Sequence, residues 1–418
     1  MRQTLDQSMN DRVHFGLVLA TLALLGFGAL MVASATATMP GHAALMQRDY
    51  FGIALGLIPL VVLWAFDYRR LKPWAGPLLV ALAFLVISPR IPGLGATVNG
   101  ATSWLKIGGI RLFQPSEPAK LLFIIVMAAV ISEYEGHIEH VRDVLRVTGY
   151  IAVPVVLIMM QPDLGTALVF VVTAVGMLVV GGMKPRWFLV LGVAGVLFIG
   201  LMFGLSDGLD HVLLRGQYDP AYVTALQKAD GNTAIASREV TDTSVLIKRY
   251  QINRLLVFTD PSIDPQGAGY NLKQSKIAIG SGGLTGVGLD LGGTNQRASQ
   301  SRLNFIPESY ADFIFAVLGE QMGFLGALLL LALYLALLSS ALSISTSSRD
   351  VFGALIAAGL VSMWAFQILE NAGMTMGMMP ITGIPLPYLS YGSSFMVTNL
   401  AGVGILLSIW SRRYGTNT

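Results

Sequence analysis

The run ADFIFAVLGEQMGFLGALLLLALYLALLS, residues 311–339, decides the fold. It is apolar on every face rather than along one stripe, and it exceeds the ~20 residues that cross a bilayer core as a helix. Its only charges are Asp312 and Glu320. A helix of this length in water would keep a polar face. This one keeps none, so it belongs among lipids and other apolar helices.

Nine further runs have the same character, near 13–37, 49–66, 74–88, 118–134, 144–160, 164–181, 187–205, 351–373 and 388–411. Two of them, 74–88 and 118–134, are short, and must sit among other helices or extend into their flanking loops. The first exceeds the apolar core of a signal peptide, about 7–15 residues, and reads as a retained span. Composition agrees: 54% of the 418 residues are apolar and 12% charged, about half the charge of a soluble domain. The expectation is an all-α polytopic membrane protein of about ten transmembrane helices, one membrane domain over 1–418. A net charge of +3 without a concentrated basic face argues against nucleic-acid binding. The absence of cysteine removes disulfides, thiolate metal sites and cysteine nucleophiles.

Orientation follows from Lys and Arg in the short loops. With the N-terminus inside, twelve lie in cytoplasmic segments and four (Arg48, Arg90, Lys106, Arg111) in short outer loops. Both termini are therefore expected in the cytoplasm. Residues 206–310 then form one large extracytoplasmic loop with ten basic and ten acidic residues. Within it Asp207–Ser244 is polar. Tyr250, Ile252, Leu255, Leu256, Val257 and Phe258 suggest a short amphipathic helix, and Lys273–Gly293 reads as glycine-rich chain lying on or dipping into the membrane face.

Five acids stand at or inside spans: Glu117, Asp163, Asp312, Glu320 and Glu370. Each costs about 2.5–3.5 kcal/mol or more at membrane depth, so each invites a functional reading with a named partner. In Gln114-Pro-Ser-Glu-Pro-Ala-Lys120, Ser116 fits an N-cap and Glu117/Lys120 an i,i+3 pair. That is either a capped helix with one internal ion pair, or a lysine offered to a phosphate and oriented by Glu117. In Gln161-Pro-Asp-Leu-Gly-Thr166, Asp163 fits a structural cap. In Pro307-Glu-Ser-Tyr-Ala-Asp-Phe313, Ser309 and Asp312 have capping-box spacing. Yet Asp312 also stands where the long polar loop re-enters the membrane, a place where an acid can be desolvated and still meet an extracytoplasmic substrate. On a straight helix Glu320 lies about 12 Å deeper. Gln367, Glu370 and Asn371 read as polar glue between helices, or as groups beneath an active site. The glycines of 280–288 lack the Lys-Ser/Thr ending of a P-loop, and fit close backbone approach to membrane or substrate instead of a nucleotide site. Three prolines in Pro380–Pro387 forbid a continuous helix, leaving irregular backbone at membrane depth, which must be buried in protein or line a cavity. The five histidines have no metal-ligand spacing.

Trp104-Leu105, Phe113–Lys120, Gln161–Thr166, Asp264-Pro-Gln-Gly-Ala-Gly-Tyr270, Gln274–Gly283, Asp312–Ala316, Gly383–Pro387 and Ser390-Tyr-Gly392 together resemble the SEDS (shape, elongation, division, sporulation) family, from the first span to the last. Asn371–Thr375 and Pro380–Pro387 are more similar to its elongation branch than to its division branch. The chain departs from the family pattern at Tyr310-Ala311, where His-Thr is usual, at Pro118 and at Ser393. The resemblance implies a glycosyltransferase that polymerises lipid II at the outer face of the bacterial cytoplasmic membrane, working with a class B penicillin-binding protein transpeptidase and other elongation-complex membrane proteins. It places the family's essential acid on Asp312, as general base or metal ligand. The substrate-binding candidates are Glu117, Lys120, Arg111, Lys248, Arg249, Lys273, Lys276, Asp163 and Ser390. Mg²⁺ or Mn²⁺ would suit the phosphate oxygens; no nucleotide, flavin or haem is expected. A flippase of lipid-linked precursor and a non-catalytic scaffold are the competing readings.

Overall fold

The structure is a computed structural model that describes residues 13–98, 101–107, 110–161, 163–205, 254, 257–261, 264, 267–289, 291, 306 and 309–414. Each expected apolar run carries a helix: α1 (Phe15–Thr36), α2 (His42–Ala65), α3 (Ala75–Ile87, after a 3-10 turn Tyr68–Trp74), α4 (Ser116–Ser132), α5 (Val141–Met159), α6 (Leu164–Val180) and α7 (Pro185–Leu205), then, after α8 (Ala268–Gly282), α9 (Ile314–Thr346), α10 (Val351–Met376) and α11 (Ser393–Ser411). Among the described residues, six of these segments are long and apolar enough to cross a membrane by themselves: α1, α2, Tyr68–Arg90, α9, α10 and α11. The protein is a multi-pass, mostly helical membrane protein.

The all-helical expectation needs one correction. Between α3 and α4, β1 (Gly95–Val98), β2 (Ala101–Ile107) and β3 (Ile110–Arg111) form a three-stranded antiparallel sheet in the order β1-β2-β3. Ala96 faces Trp104, and Lys106 faces Arg111. The sequence carries Asn99-Gly100 and Gly108-Gly109 between these strands, dipeptides that favour tight hairpins. This short alternating stretch lacks the length of a span, and its strands are too short to stand out by periodicity.

The core sits on α4, α10 and α11. On α4 nearly every residue from Ser116 to Ser132 is buried, polar ends included, while α2 and α3 turn Ile58, Val61, Val62, Val80 and Phe84 outward. Without a hydrophobic drive between helices in lipid, close contact depends on small residues. α2 and α11 meet this way: a Cβ on Gly404 would stand 2.4 Å from the Leu60 carbonyl oxygen, and one on Gly56 2.6 Å from Leu400.

Three details of the sequence reading change. First, α9 begins at Ile314 with Phe313 as N-cap, so the Ser309/Asp312 capping box does not form; the Ser309 hydroxyl is buried with no hydrogen-bond partner among the described residues. Likewise Pro115, and not Ser116, is the N-cap of α4. Second, α9 is not straight. Gly323 has φ 64° and ψ −160°, a conformation closed to other residues. The break falls three residues beyond Glu320, within the long apolar run. Third, the glycine-rich turn after α8 mates with this break. Val287 and Gly288 donate to the carbonyls of Glu320 and Gln321 at 3.0 and 2.9 Å, and Phe324 and Leu325 donate to those of Gly283 and Leu284 at 2.9 and 3.1 Å. α8 itself is a regular helix against α9 and α10, with Leu272, Ser275 and Ala278 buried. Of the predicted amphipathic stretch, Arg254 and residues 257–259 are described and helical, and Val257 is fully buried. Asp207–Ser244 lies outside the described residues.

The irregular segment 380–392 is buried or half-buried in protein and also borders a cavity, as its prolines require. The Tyr334 hydroxyl donates to the Pro387 carbonyl at 2.6 Å, and Tyr388, with φ 62°, donates from its hydroxyl to the Asn399 carbonyl at 3.1 Å. Pro385, Pro387 and Gly392 delay the last helix to Ser393.

Candidate active site

The N-terminal ends of α4, α6, α9 and α11 converge on a cavity of about 310 Å³. Its lining includes Trp104 of β2, Gln114, Glu117 and Lys120, Asp163 and Thr166, Tyr310, Ala311 and Asp312, Gly383, Ile384 and Pro385, and Tyr391, Gly392, Ser394 and Phe395. Three motifs that read separately as helix starts, and the irregular backbone before the last helix, therefore surround one space.

Lys120 and Glu117 form the expected i,i+3 pair and are 4% and 5% exposed. The ammonium lies 2.9 Å from both carboxylate oxygens, and 5.3 Å from the centre of the Phe395 ring. Asp163 caps α6, accepting from the Thr166 amide at 2.9 Å and the Thr166 hydroxyl at 2.8 Å. It is a structural cap whose position also borders the cavity.

Asp312 is half-buried on the turn that precedes α9, and its backbone is held from two sides. Asn371 of α10 donates from Nδ2 to the Asp312 carbonyl at 2.8 Å and to that of Ile384 at 2.7 Å. Ser390 donates from its hydroxyl to the Ala311 carbonyl at 2.6 Å while accepting from the Leu386 amide at 2.8 Å. The Asp312 carboxylate lies over Gly383: Oδ2 is 3.1 Å, and the Arg254 guanidinium 3.4 Å, from where a Cβ on that residue would stand. Arg254 also donates to the Thr382 carbonyl at 3.4 Å. An acid and a guanidinium thus share one glycine-floored corner. Tyr310, in place of the family's histidine, sets its ring edge-on to Tyr391 at 5.4 Å, and the two backbones bond at 3.0 Å.

Glu117, Lys120, Asp163 and Asp312 are brought together. Ser390 is buried behind them and pins backbone. Arg111 lies on β3. Lys273 and Lys276 are exposed on α8 and do not line the cavity; the Lys276 ammonium packs at Gly377, the end of α10. Lys248 and Arg249 lie outside the described residues. Arg254 was missed among ten loop cations; the apolar neighbours Ile252, Leu255, Leu256 and Val257 were the signal that this part of the loop packs rather than floats. Among the described residues no group of three or more His, Cys, Asp or Glu could hold a metal ion.

The sequence profile of the FtsW/RodA/SpoVE family, described as "Cell cycle protein", matches residues 15–415. The chain belongs to the FtsW/RodA/SpoVE, or SEDS, family. It is 36% identical over 413 residues to the peptidoglycan glycosyltransferase MrdB of Escherichia coli K12, covering 96% of this chain and 95% of that protein. It is 33% identical over 400 residues to the stage V sporulation protein E of Bacillus subtilis, covering 94% and 95%. Among solved SEDS structures, a chain from a study of polymerization and crosslinking by a peptidoglycan synthase complex matches with a TM-score of 0.71 at 28% identity, covering 96% of this chain and 98% of that one. The rod shape determining protein RodA of Thermus thermophilus matches with a TM-score of 0.63 at 25% identity and the same coverage.

Proposed function

We propose that this peptidoglycan glycosyltransferase polymerises lipid II at the outer face of the bacterial cytoplasmic membrane, with Asp312 as general base. The observation that carries the reading is the convergence of four helix N-termini, the Lys120 ammonium and Asp312 on one cavity, with the Arg254 guanidinium beside Asp312 over Gly383. Helix N-termini present free N–H groups and positive dipole ends, each favouring an anion by about 0.3–1 kcal/mol. Together with the two cations they suit a leaving diphosphate, whose charge grows as the glycosidic carbon–oxygen bond breaks. Asp312 takes the proton of the acceptor GlcNAc 4-hydroxyl, and the resulting oxygen bonds to the anomeric carbon. The diphosphate departs with the electron pair from the opposite face, so the centre inverts.

The acids at the cavity do not form a protein cage for a divalent ion: Glu117 is committed to Lys120 and Asp163 to Thr166. In this reading the chain has ten spans, both termini in the cytoplasm and residues 206–310 outside, and it acts during elongation and shape maintenance. A class B penicillin-binding protein supplies the crosslinking; the related chain from a synthase complex supports such a partner. A flippase would need a polar path through the membrane, whereas these charged groups gather at one set of helix ends.

The test is polymerisation of lipid II by the purified chain. Asp312→Ala and Asp312→Asn lower turnover by at least about 100-fold, the span of general-base effects. Full polymerisation by either variant would refute the role of Asp312.

A further inference from the structure

Glu370 lies near the end of α10, 1% exposed, in a helix apolar and long enough to cross the membrane. An ionisable side chain there is costly, and its retention calls for a reason. Asn371 beside it has one, since its amide ties Asp312 to Ile384. Glu370 makes a different connection. Its Oε1 accepts a hydrogen bond from the Thr382 hydroxyl, and its Oε2 is buried with no hydrogen-bond partner among the described residues.

Thr382 is where the neighbouring elements meet. Its carbonyl accepts from Arg254. On the α6 side a Cβ on Gly165 would stand 2.9 Å from that carbonyl and 3.2 Å from the Thr382 Cβ. The next residue, Gly383, carries Asp312 Oδ2 and Arg254 on its face. A displacement of Thr382 therefore moves the floor under the acid and the guanidinium together. We propose that Glu370 is a positioning residue for Asp312, acting through its hydrogen bond to Thr382 and the adjoining Gly383. The inference rests on Asp312 being the base; it adds the group that fixes where the base stands.

A group that only glued helices together would change melting temperature and leave turnover per folded molecule intact. A positioning group changes turnover at constant KM, because misplacing reacting groups by about 1 Å costs up to about 100-fold. The experiment uses the full chain in detergent with lipid II. Glu370→Leu lowers kcat at least about tenfold with KM within about twofold, while Glu370→Gln, which keeps an acceptor oxygen for Thr382, stays within about twofold of wild type. Thr382→Val reproduces the loss, Thr382→Ser does not, and the Glu370→Leu/Thr382→Val double variant is no worse than either single one. Wild-type kcat in Glu370→Leu, equal damage from Gln and Leu, or losses that multiply would each overturn the proposal. Should Glu370→Leu fail to fold, the Thr382 pair decides, and equal activity of its Val and Ser forms overturns it. Asp312→Asn is measured in parallel. Wild-type turnover there removes the base itself, whereas an inactive Asp312→Asn beside a fully active Glu370→Leu overturns only the role of Glu370.

Discussion

Replacing Lys120 separates two roles that one geometry combines. The ammonium is 4% exposed and bonded to a 5% exposed carboxylate, so Lys120→Met leaves Glu117 charged and unpaired in the protein interior. Breaking a buried pair from one side costs about 3–5 kcal/mol. Removing both charges, as Lys120→Met with Glu117→Gln, removes that penalty, and a buried pair exchanged for groups of similar volume is often neutral or stabilising. Stability should therefore fall in the single variant and return in the double one. Activity should not return. A cation about 4 Å from a phosphate oxygen is worth up to ~4 kcal/mol at an effective dielectric of 20. Even a third of that, developed only as the diphosphate leaves, is about tenfold in rate. Thermal unfolding in detergent reads the first quantity, and gel-resolved glycan from purified enzyme and lipid II reads the second. A double variant that recovers both stability and wild-type turnover would refute the reasoning and leave Glu117 and Lys120 as a structural pair.

Other consequences are checked by the same two assays. Arg254→Met lowers turnover at least about tenfold, and Arg254→Lys does not restore it, because a point charge lacks the fork that spans the Asp312 corner and the Thr382 carbonyl. Asn371→Ala strips the buried Ile384 carbonyl and the half-buried Asp312 carbonyl of their shared donor, at about 1–3 kcal/mol for the buried one, and lowers melting temperature and turnover together. Gly323→Ala is destabilising by at least about 2 kcal/mol, since a Cβ there would stand 2.4 Å from the Gly286 nitrogen on a backbone with φ 64°. Gly26→Ala, with nothing within 4 Å of the new Cβ, is neutral or slightly stabilising by comparison.

Much of the fold was legible because lipid imposes simple rules. Every run apolar on all faces became a helix, and the prolines of 380–387 marked irregular backbone. What escaped depends on contacts between distant segments. Gly323 sits in an apolar run where a glycine reads as a small packing residue. Its left-handed φ accompanies hydrogen bonds that its neighbours Glu320, Gln321, Phe324 and Leu325 make with Val287, Gly288, Gly283 and Leu284, more than thirty residues earlier in the chain. The Ser309/Asp312 spacing suggested a cap, but Asp312 is held instead through its own carbonyl by Asn371, and its neighbour Ala311 by Ser390. Local spacing cannot show that a carbonyl already has a better donor on another helix.

The site was legible in its parts and not in its sum. Gln114–Lys120, Gln161–Thr166 and Pro307–Phe313 each satisfy local rules for starting a helix, and taken alone each is adequately explained by capping or an ion pair, while Gly392–Phe395 follows proline-interrupted backbone. Only the packing of α4, α6, α9 and α11 turns these local solutions into one pocket in which Lys120 stands among Glu117, Asp163 and Asp312. The same packing explains why Lys273 and Lys276, equally plausible by charge, fall outside it: they stand on the exposed side of α8, whose buried face is Leu272, Ser275 and Ala278. Arg254 instead follows chain that packs inward near Val257, and so reaches Asp312. In a chain this poor in charge, which cation can serve the reaction is decided by which backbone segment finds apolar surface to bury.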